Sequence, residues 1–303
     1  MVGPVVVVGA HVQGLFLHVE AVPREGESVL GWGFAEPADG GKSSNQAVAA
    51  ATLGAPTVLV SVVGSDERGR RALRFFSGRG IDTRFCFQVD GATDVGFVLL
   101  PPSRIPAIAT ALERNEELDA ATVERAAGAI RSGSVCVCAL EARPEAAAAA
   151  FRIARGAGVR TLLNPAPAAE LDPELVALTD LLVPNEHEAA ALAGREAPPG
   201  ELASELARGL PVDGVVVTAG EDGAYVAREG LVEHVAAPSV EAEDTTGAGD
   251  AFVAALAVRL RAGDALLEAA RFAVAAATVS VTRAGTMLSF PTEAETAALA
   301  AGV

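Results

Sequence analysis

Asp244-Thr245-Thr246-Gly247-Ala248-Gly249-Asp250-Ala251-Phe252 is the stretch on which the reading of this chain turns. Its Gly-Ala-Gly step predicts a turn with accessible backbone N–H groups. An apolar series follows at helical spacing: Phe252, Val253, Leu256, Ala257 and Leu260. The turn therefore opens a helix, and a helix N-terminus carries unpaired donors and partial positive charge. Small residues let an anion approach those donors closely. Asp250 adds a carboxylate at the mouth of the same helix. The pair suits a reaction in which charge develops on a phosphoryl group while a hydroxyl gives its proton to a carboxylate. The plainer reading is a capped helix after a glycine turn, and the carboxylates at 244 and 250 weigh against it.

Outward from this stretch the chain reads as an α/β protein. Val5–Gly9, Thr57–Val63, Val135–Leu140, Arg160–Leu163, Leu181–Val183 and Val215–Thr218 are short apolar runs. Helical patterns at 144–156, 186–194 and 200–209 separate the later ones. That alternation predicts a mostly parallel central sheet covered by helices on both faces. Gly40-Gly41-Lys42-Ser43-Ser44-Asn45 opens a further helix that stops at Gly54; read as a plain helix entry, it has Ser43 or Ser44 as its cap. Glu67–Arg79 is amphipathic and carries Leu73, Phe75 and Phe76. Arg84–Val89 and Val95–Leu100 read as strands of a separate small sheet with residues 12–38. Val226–Ala227 and Leu231–Val235 suggest a hairpin through Gly230.

The 303 residues are half hydrophobic and carry a formal net charge of −16, which argues against nucleic acid as a partner. No apolar run is long enough to span a bilayer, and no signal peptide is read at the start. Cys86, Cys136 and Cys138 form no disulfide framework and no metal-binding pattern; Cys136 and Cys138 share one face of a strand. A reducing, cytoplasmic setting fits.

Ligands of such sheets bind beyond the carboxyl ends of the strands. The loops there hold Leu140-Glu141, Asn164-Pro165-Ala166-Pro167, Pro184-Asn185-Glu186-His187-Glu188 and Thr218-Ala219-Gly220, all expected at the rim of Asp250. Asn185 and Glu188 share one face of a first helical turn. They fit either a hydrated Mg²⁺ or a simple helix cap. Lys42 and Asn45, beside flexible backbone, fit either sugar hydroxyls or a plain helix entry. Asp244 either orients the glycine turn or binds a cation. The four histidines are scattered, and only His11 stands at a strand end.

Five motifs stand in one order. They are Gly40-Gly41-Lys42-x-x-Asn45-Gln46-Ala47, Gly64-x-Asp66-x-x-Gly69, Asn164-Pro165-Ala166-Pro167, Asn185-Glu186-x-Glu188 and Asp244 through Phe252. In this the chain resembles the ribokinase-like (PfkB) sugar kinases over nearly its whole length. The resemblance implies one kinase domain over 1–303, with a β-sheet lid from about 12–38 and 91–108 that closes over the sugar and pairs in a homodimer. It implies ATP-dependent phosphorylation of a primary hydroxyl of a small sugar, with Asp250 as general base. Gly247, Ala248 and Gly249 would be the anion hole. Gly40, Gly41, Lys42, Asn45 and Glu141 would contact the sugar. Asn185, Thr218, Gly220, Gly223 and Gly249 would serve the nucleotide. Asn185 and Glu188 would act on Mg²⁺ through water. Asp244, Thr246, Ser280, Arg283, Gly285 and Ser289 would form a monovalent-cation site, K⁺ in most members, several of them through backbone carbonyls.

One departure touches specificity. After the first strand the family pattern carries Asn and Asp that grip sugar hydroxyls; here those positions are Val12 and Gly14. A substrate that needs both grips loses two hydrogen-bond partners, which makes ribose doubtful as the substrate. His11, Gln13 or Asp39 would substitute for these grips in a different pose, which makes His11 and Gln13 candidate substrate-binding residues. Three other readings compete. A nucleoside kinase would want an aromatic pocket, and Trp32 and Tyr225 are the single Trp and Tyr. A phosphosugar kinase would want a second phosphate grip, for which Arg24 and Arg104 are candidates. A sensor that keeps the fold without catalysis is disfavoured by the intact 247–250 stretch.

Overall fold

The computed structural model describes residues 2–37, 40–103, 107–141 and 143–301. Asp39 and Arg104, raised above, lie outside them. In chain order the strands are β1 (Val5–Val8), β2 (Gln13–Val19), β3 (Gly31–Ala35), β4 (Thr57–Gly64), β5 (Asp82–Val89), β6 (Val95–Leu100), β7 (Ala107–Thr110), β8 (Val135–Ala139), β9 (Arg160–Asn164), β10 (Leu181–Leu182), β11 (Gly214–Thr218), β12 (Ala224–Arg228) and β13 (Leu231–Val235). The helices are α1 (Lys42–Thr52), α2 (Glu67–Gly78), α3 (Ala120–Glu124), α4 (Ala127–Arg131), α5 (Pro144–Gly156), α6 (Pro173–Ala177), α7 (Glu186–Ala193), α8 (Pro199–Gly209), α9 (Ala248–Ala262), α10 (Leu266–Ser280) and α11 (Glu293–Ala300).

Among the described residues, nine strands form a large sheet in the order β13-β12-β11-β10-β9-β8-β1-β4-β5. Its pairs from β11 to β5 are parallel, and β12 and β13 join antiparallel as the expected hairpin. The apolar runs follow from this arrangement, because a parallel sheet covered on both faces buries every side chain. Val5 and Val7 with Val135 and Val137 face a core against α1, α9 and α10. Val6 and Val8 with Cys136 and Cys138 face the opposite core, against α4, α5 and α8. Burying Phe252, one anchor of α9 in the first core, contributes roughly 2–3 kcal/mol.

The small sheet has the order β3-β2-β6-β7. Arg84–Val89 is not part of it. Instead β5 pairs parallel with β4 at the edge of the large sheet, from Val60↔Phe85 to Gly64↔Val89. Phe85, Phe87 and Val89 pack on one core and Cys86 on the other, which a lid strand over solvent would not allow.

The helix over 42–52 ends as expected, with Gly54 just beyond it, but neither serine caps it. The N-cap is Gly41, and Ser43 and Ser44 are buried inside the helix. Ser44 Oγ turns back to the Gly40 and Gly41 carbonyls, at 2.5 and 3.1 Å. The motif Gly64-x-Asp66-x-x-Gly69 has a local cause. Asp66 caps α2 by accepting from Gly69 N at 3.0 Å and from Thr93 Oγ1 at 2.6 Å, tying α2 to the loop that leads into the small sheet.

Candidate active site

The order of strands reverses at β1: β8 to β11 extend to one side, β4 and β5 to the other. The carboxyl ends near this reversal form the crevice expected of such sheets. Glu141 follows β8, Asn164 ends β9, Asn185 follows β10 and Thr218 ends β11. Asp250 reaches the same crevice from the first turn of α9.

Gly247 is the N-cap of α9, with φ 81°. That left-handed backbone favours glycine, and a Cβ there would sit 2.6 Å from Thr286 Cγ2. The turn bends the chain so that the Gly249 and Asp250 N–H groups have no protein acceptor among the described residues; Ala248 N–H bonds Thr245 O at 3.3 Å. This is the anion-accepting geometry expected of a helix N-terminus.

The Asp250 carboxylate is buried and held from α1. Asn45 Nδ2 donates to Oδ2 at 2.8 Å, and Gln46 Nε2 to Oδ1 at 3.1 Å. Gln46 Nε2 also approaches Asn164 Oδ1 at 3.2 Å, and Asn164 Nδ2 donates to Val183 O at 2.9 Å. Gln46 and Asn164 stand in the quoted motifs, yet sequence reasoning gave them no role. Gln46 follows Asn45 directly on the same helix, and that adjacency is the signal that pointed to it.

Lys42 lies within electrostatic reach of three carboxylates. Burial works against its charge, but Asp250, Glu141 and Glu188 hold its ammonium above the usual range. Burial pushes Asp250 upward, with Lys42, Asn45 and Gln46 pulling the other way. Burial also raises Glu141 to about 7, opposed by Lys42, whose backbone N donates to Glu141 Oε2 at 2.5 Å. Glu188 is raised as well, chiefly by burial. The crevice thus gathers more carboxylate than it can ionise unaided, and it has room for added positive charge.

Asn185 and Glu188 form a capping box on α7: Glu188 N donates to Asn185 Oδ1 at 2.8 Å and Asn185 N to Glu188 Oε2 at 2.9 Å. Both readings of this pair are thereby compatible. One oxygen of each is spent on the helix, while Glu188 Oε1 has no protein donor among the described residues. Both residues line a cavity of about 290 Å³ together with Lys42, Asn164, Gly247 and Asp250. Hard oxygen donors on an acidic wall suit a hydrated Mg²⁺.

A second cavity, about 660 Å³, adjoins the first. Thr218, Thr245 and Gly249 line both. Gly220 and Gly223 stand on its wall. Its apolar lining (Phe252, Val274, Ala277, Thr278 and Val281) comes from α9, α10 and the residue after it and was not read from the sequence.

Asp244 accepts from Thr246 N at 2.9 Å and from Gly285 N at 3.0 Å, so these three meet. The side chains of the other cation candidates are engaged elsewhere. Ser280 Oγ bonds Ala277 O, Ser289 Oγ bonds Thr286 O, and Arg283 pairs with Glu295 at 2.5 Å. Arg283, a cation itself, can serve one only through its backbone carbonyl.

His11 and Gln13 lie behind the crevice and line neither cavity. His11 is fully buried, its ring edge-on to Phe76, with Nδ1 3.1 Å from Ser44 Oγ; burial lowers it to about 4. Gln13 is spent on the protein: Nε2 donates to Gly14 O and Pro37 O, and Oε1 accepts from Arg71 at 3.0 Å. Trp32 lies on the small sheet, Tyr225 stacks on His234, and Arg24 is exposed; none of the three lines either cavity.

The fold and the crevice define an α/β phosphotransferase, and comparison with known proteins narrows the class. The model of the pfkB family carbohydrate kinases matches residues 5–293. The chain is 36% identical over 286 residues to the ribokinase of Haemophilus influenzae, covering 92% of this chain and 93% of that one. It is 36% identical over 301 residues to the ribokinase of Mus musculus, covering 95% and 91%. The structure of Arabidopsis thaliana ribokinase complexed with ribose and ATP superposes with a TM-score of 0.92 over 99% of both chains, at 27% identity. The chain belongs to the pfkB carbohydrate kinase family. It has the ribokinase-like fold and is an ATP-dependent sugar kinase.

Proposed function

We propose that the chain moves the γ-phosphoryl group of ATP to a primary hydroxyl of a small sugar, with Asp250 taking the hydroxyl proton. The observation that carries this reading is Asp250 itself: its carboxylate is pinned by Asn45 and Gln46, beside the residues shared by the two cavities. ATP occupies the larger cavity, against Thr218, Gly220 and Gly223. The sugar lies over Gly40, Gly41, Lys42, Asn45 and Glu141. As the sugar oxygen bonds to the γ-phosphorus, the bond to the bridging oxygen breaks and ADP leaves. The Gly247, Ala248 and Gly249 turn carries the charge in transit. Lys42 offsets part of the charge of the carboxylates around it, and works against the burial that raises Asp250.

Asn185 and Glu188 would hold Mg²⁺ through water, which would supply neutralisation of the phosphate oxygens. Asp244, Thr246, Ser280, Arg283, Gly285 and Ser289, several through backbone carbonyls, would hold a monovalent cation, K⁺ by preference. Residues 1–303 act as one kinase domain, and the 12–38 and 91–108 segments act as its lid. Two copies pair through the lid: Leu30 just before β3, Trp32 and Phe34 on β3, Phe97 on β6 and Ile108 on β7 are exposed, and an apolar sheet edge favours a partner. No helix among the described residues is long and apolar enough to cross a membrane. Free, buried Cys86, Cys136 and Cys138 support a cytoplasmic setting.

The preferred sugar differs from ribose in the hydroxyls it presents at the start of β2, where Val12 and Gly14 offer no polar side chain. The test is ADP release from MgATP over pentoses, hexoses, ketoses, sugar phosphates and nucleosides, each with K⁺ and with Na⁺. One sugar well above the rest supports the reading. Turnover of nucleosides alone, or ATP binding with no turnover of any compound, overturns it.

A further inference from the structure

Tyr225 and His234 oppose each other across the β12–β13 ladder. Their rings stack, with centroids 4.4 Å apart and planes 18° apart. Both side chains also converge on one residue, Asp222. The Tyr225 hydroxyl donates to Asp222 Oδ2 at 2.6 Å. His234 Nε2 lies 2.7 Å from the Asp222 carbonyl oxygen and 3.5 Å from Oδ1. A carbonyl oxygen only accepts, so Nε2 carries the proton. On the other side Tyr225 meets α8: a Cβ on Gly200 would stand 2.9 Å from Tyr225 Cδ1, which leaves the ring little room to move.

Asp222 closes the short helical turn Gly220–Asp222. Gly220, Glu221 and Gly223 of this turn line the 660 Å³ cavity, whereas Tyr225 and His234 do not. The turn is otherwise lightly held, by Ala219 N to Gly223 O at 2.8 Å and two bonds within itself. Gly223 also lies tight against β13, where a Cβ would meet Val235 O at 2.1 Å. Any shift of the hairpin is therefore passed directly to the cavity wall.

We infer that Tyr225 and His234 are positioning residues for the nucleotide, acting through Asp222 to hold the 220–223 turn against it. The inference rests on the larger cavity being the ATP site. The two rings lie outside the crevice that holds Asp250, so their loss alters ATP saturation and leaves chemistry alone.

The experiment is steady-state kinetics of Tyr225→Phe, His234→Ala and His234→Gln, with ATP and sugar each varied at saturation of the other. Losing one such bond is worth about a fivefold rise in KM for ATP. Tyr225→Phe and His234→Ala are expected to show at least that, with kcat and the sugar KM unchanged within about twofold. His234→Gln keeps an amide donor for the Asp222 carbonyl and is expected to recover part of the loss. An unchanged ATP KM in both Tyr225→Phe and His234→Ala overturns the inference, as does a joint loss of kcat and sugar affinity, which marks a merely structural role. Ala277→Trp separates the two readings by filling the cavity. If it leaves the ATP KM unchanged, the cavity assignment itself is wrong. If it abolishes saturation while the two ring variants do nothing, the positioning role alone fails.

Discussion

Asn45 Nδ2 donates to Asp250 Oδ2 at 2.8 Å, joining α1 to α9 across 205 residues of sequence. Gln46, the next residue, holds the other oxygen. The carboxylate is therefore fixed before any substrate arrives, which is what a base needs if its orientation is not to cost energy in the transition state. Asp250→Asn keeps the shape and can accept from one of Asn45 and Gln46, bonding the other once that amide turns its oxygen inward, but it cannot take a proton. Its kcat is expected to fall by about 10²–10⁴-fold, with ATP affinity and thermal midpoint near those of the parent. Turnover within tenfold of the parent would remove Asp250 from the role of base.

Gly247→Ala tests the turn beneath that carboxylate. A methyl group at φ 81° meets Thr286 Cγ2 at 2.6 Å, so the turn must shift. The left-handed backbone alone costs about 1–2 kcal/mol. Because the displaced N–H groups are those proposed above to face the phosphoryl group, kcat is expected to fall more than about 100-fold, well beyond the loss of stability. A variant that is destabilised yet turns over normally would show the turn to be a helix start and nothing more.

The central sheet was legible because its strands are buried on both faces. Val5–Val8 and Val135–Cys138 read as unbroken apolar runs, and no other arrangement hides both sides of them. Strand β5 was not legible for the converse reason. At an edge, Arg84 to Val89 alternates in the manner of a half-exposed strand, and only the pairing with β4 assigns it to the large sheet. Asp250 and its turn were visible as a local pattern. The residues that hold Asp250 were not fully visible, since Gln46 and Asn164 meet over 118 residues. His11 misled because a polar residue at a strand end looks like a ligand, and nothing local tells that Phe76 covers it.

Glu141 sets a pH dependence of stability with a definite sign. Its folded value is about 7 and its ordinary value is 4.5, so between these limits the folded state holds a proton that the unfolded chain has released. Stability contributed by this group is present in full below about pH 4 and is lost as pH rises towards 7, by up to about 3 kcal/mol. Raised Asp250 and Glu188 act in the same direction. Glu141→Gln is expected to flatten the fall of the thermal midpoint between pH 5 and 7 and to raise the midpoint at pH 7. An unchanged slope would mean that Glu141 is ionised in the free protein.

Pairing through the lid is tested on its most exposed strand. Leu30 is 92% and Phe34 64% exposed on or beside β3. A charge at either position leaves the monomer's cores untouched but places an unpaired carboxylate within an apolar contact. Leu30→Glu and Phe34→Glu are expected to give monomers by light scattering where the parent gives dimers. A dimer that survives both changes does not form through β3.

Val12 and Gly14 carry the last prediction. Gly14 pairs with Gly96 across β2 and β6, and Val12 Cγ1 stands 3.3 Å from where a Cβ on Gly96 would lie. Val12 and Gly14 themselves therefore offer no hydrogen-bonding side chain at the positions where the family pattern has an asparagine and an aspartate; Thr110 Oγ1, 3.8 Å from that same point, is the hydroxyl beside them. A hydroxyl brought there loses its water partners without replacement, at about 1–3 kcal/mol for each unpaired group. Restoring the polar pair in Val12→Asn with Gly14→Asp is expected to raise kcat/KM for ribose at least tenfold and to lower it for the sugar the parent prefers. Because both substitutions lie away from Asp250, kcat at saturating sugar should change little. Should ribose already be the best substrate of the parent, or should the double variant not favour it, specificity is set elsewhere in the crevice, with Lys42 and Glu141 the next residues to exchange.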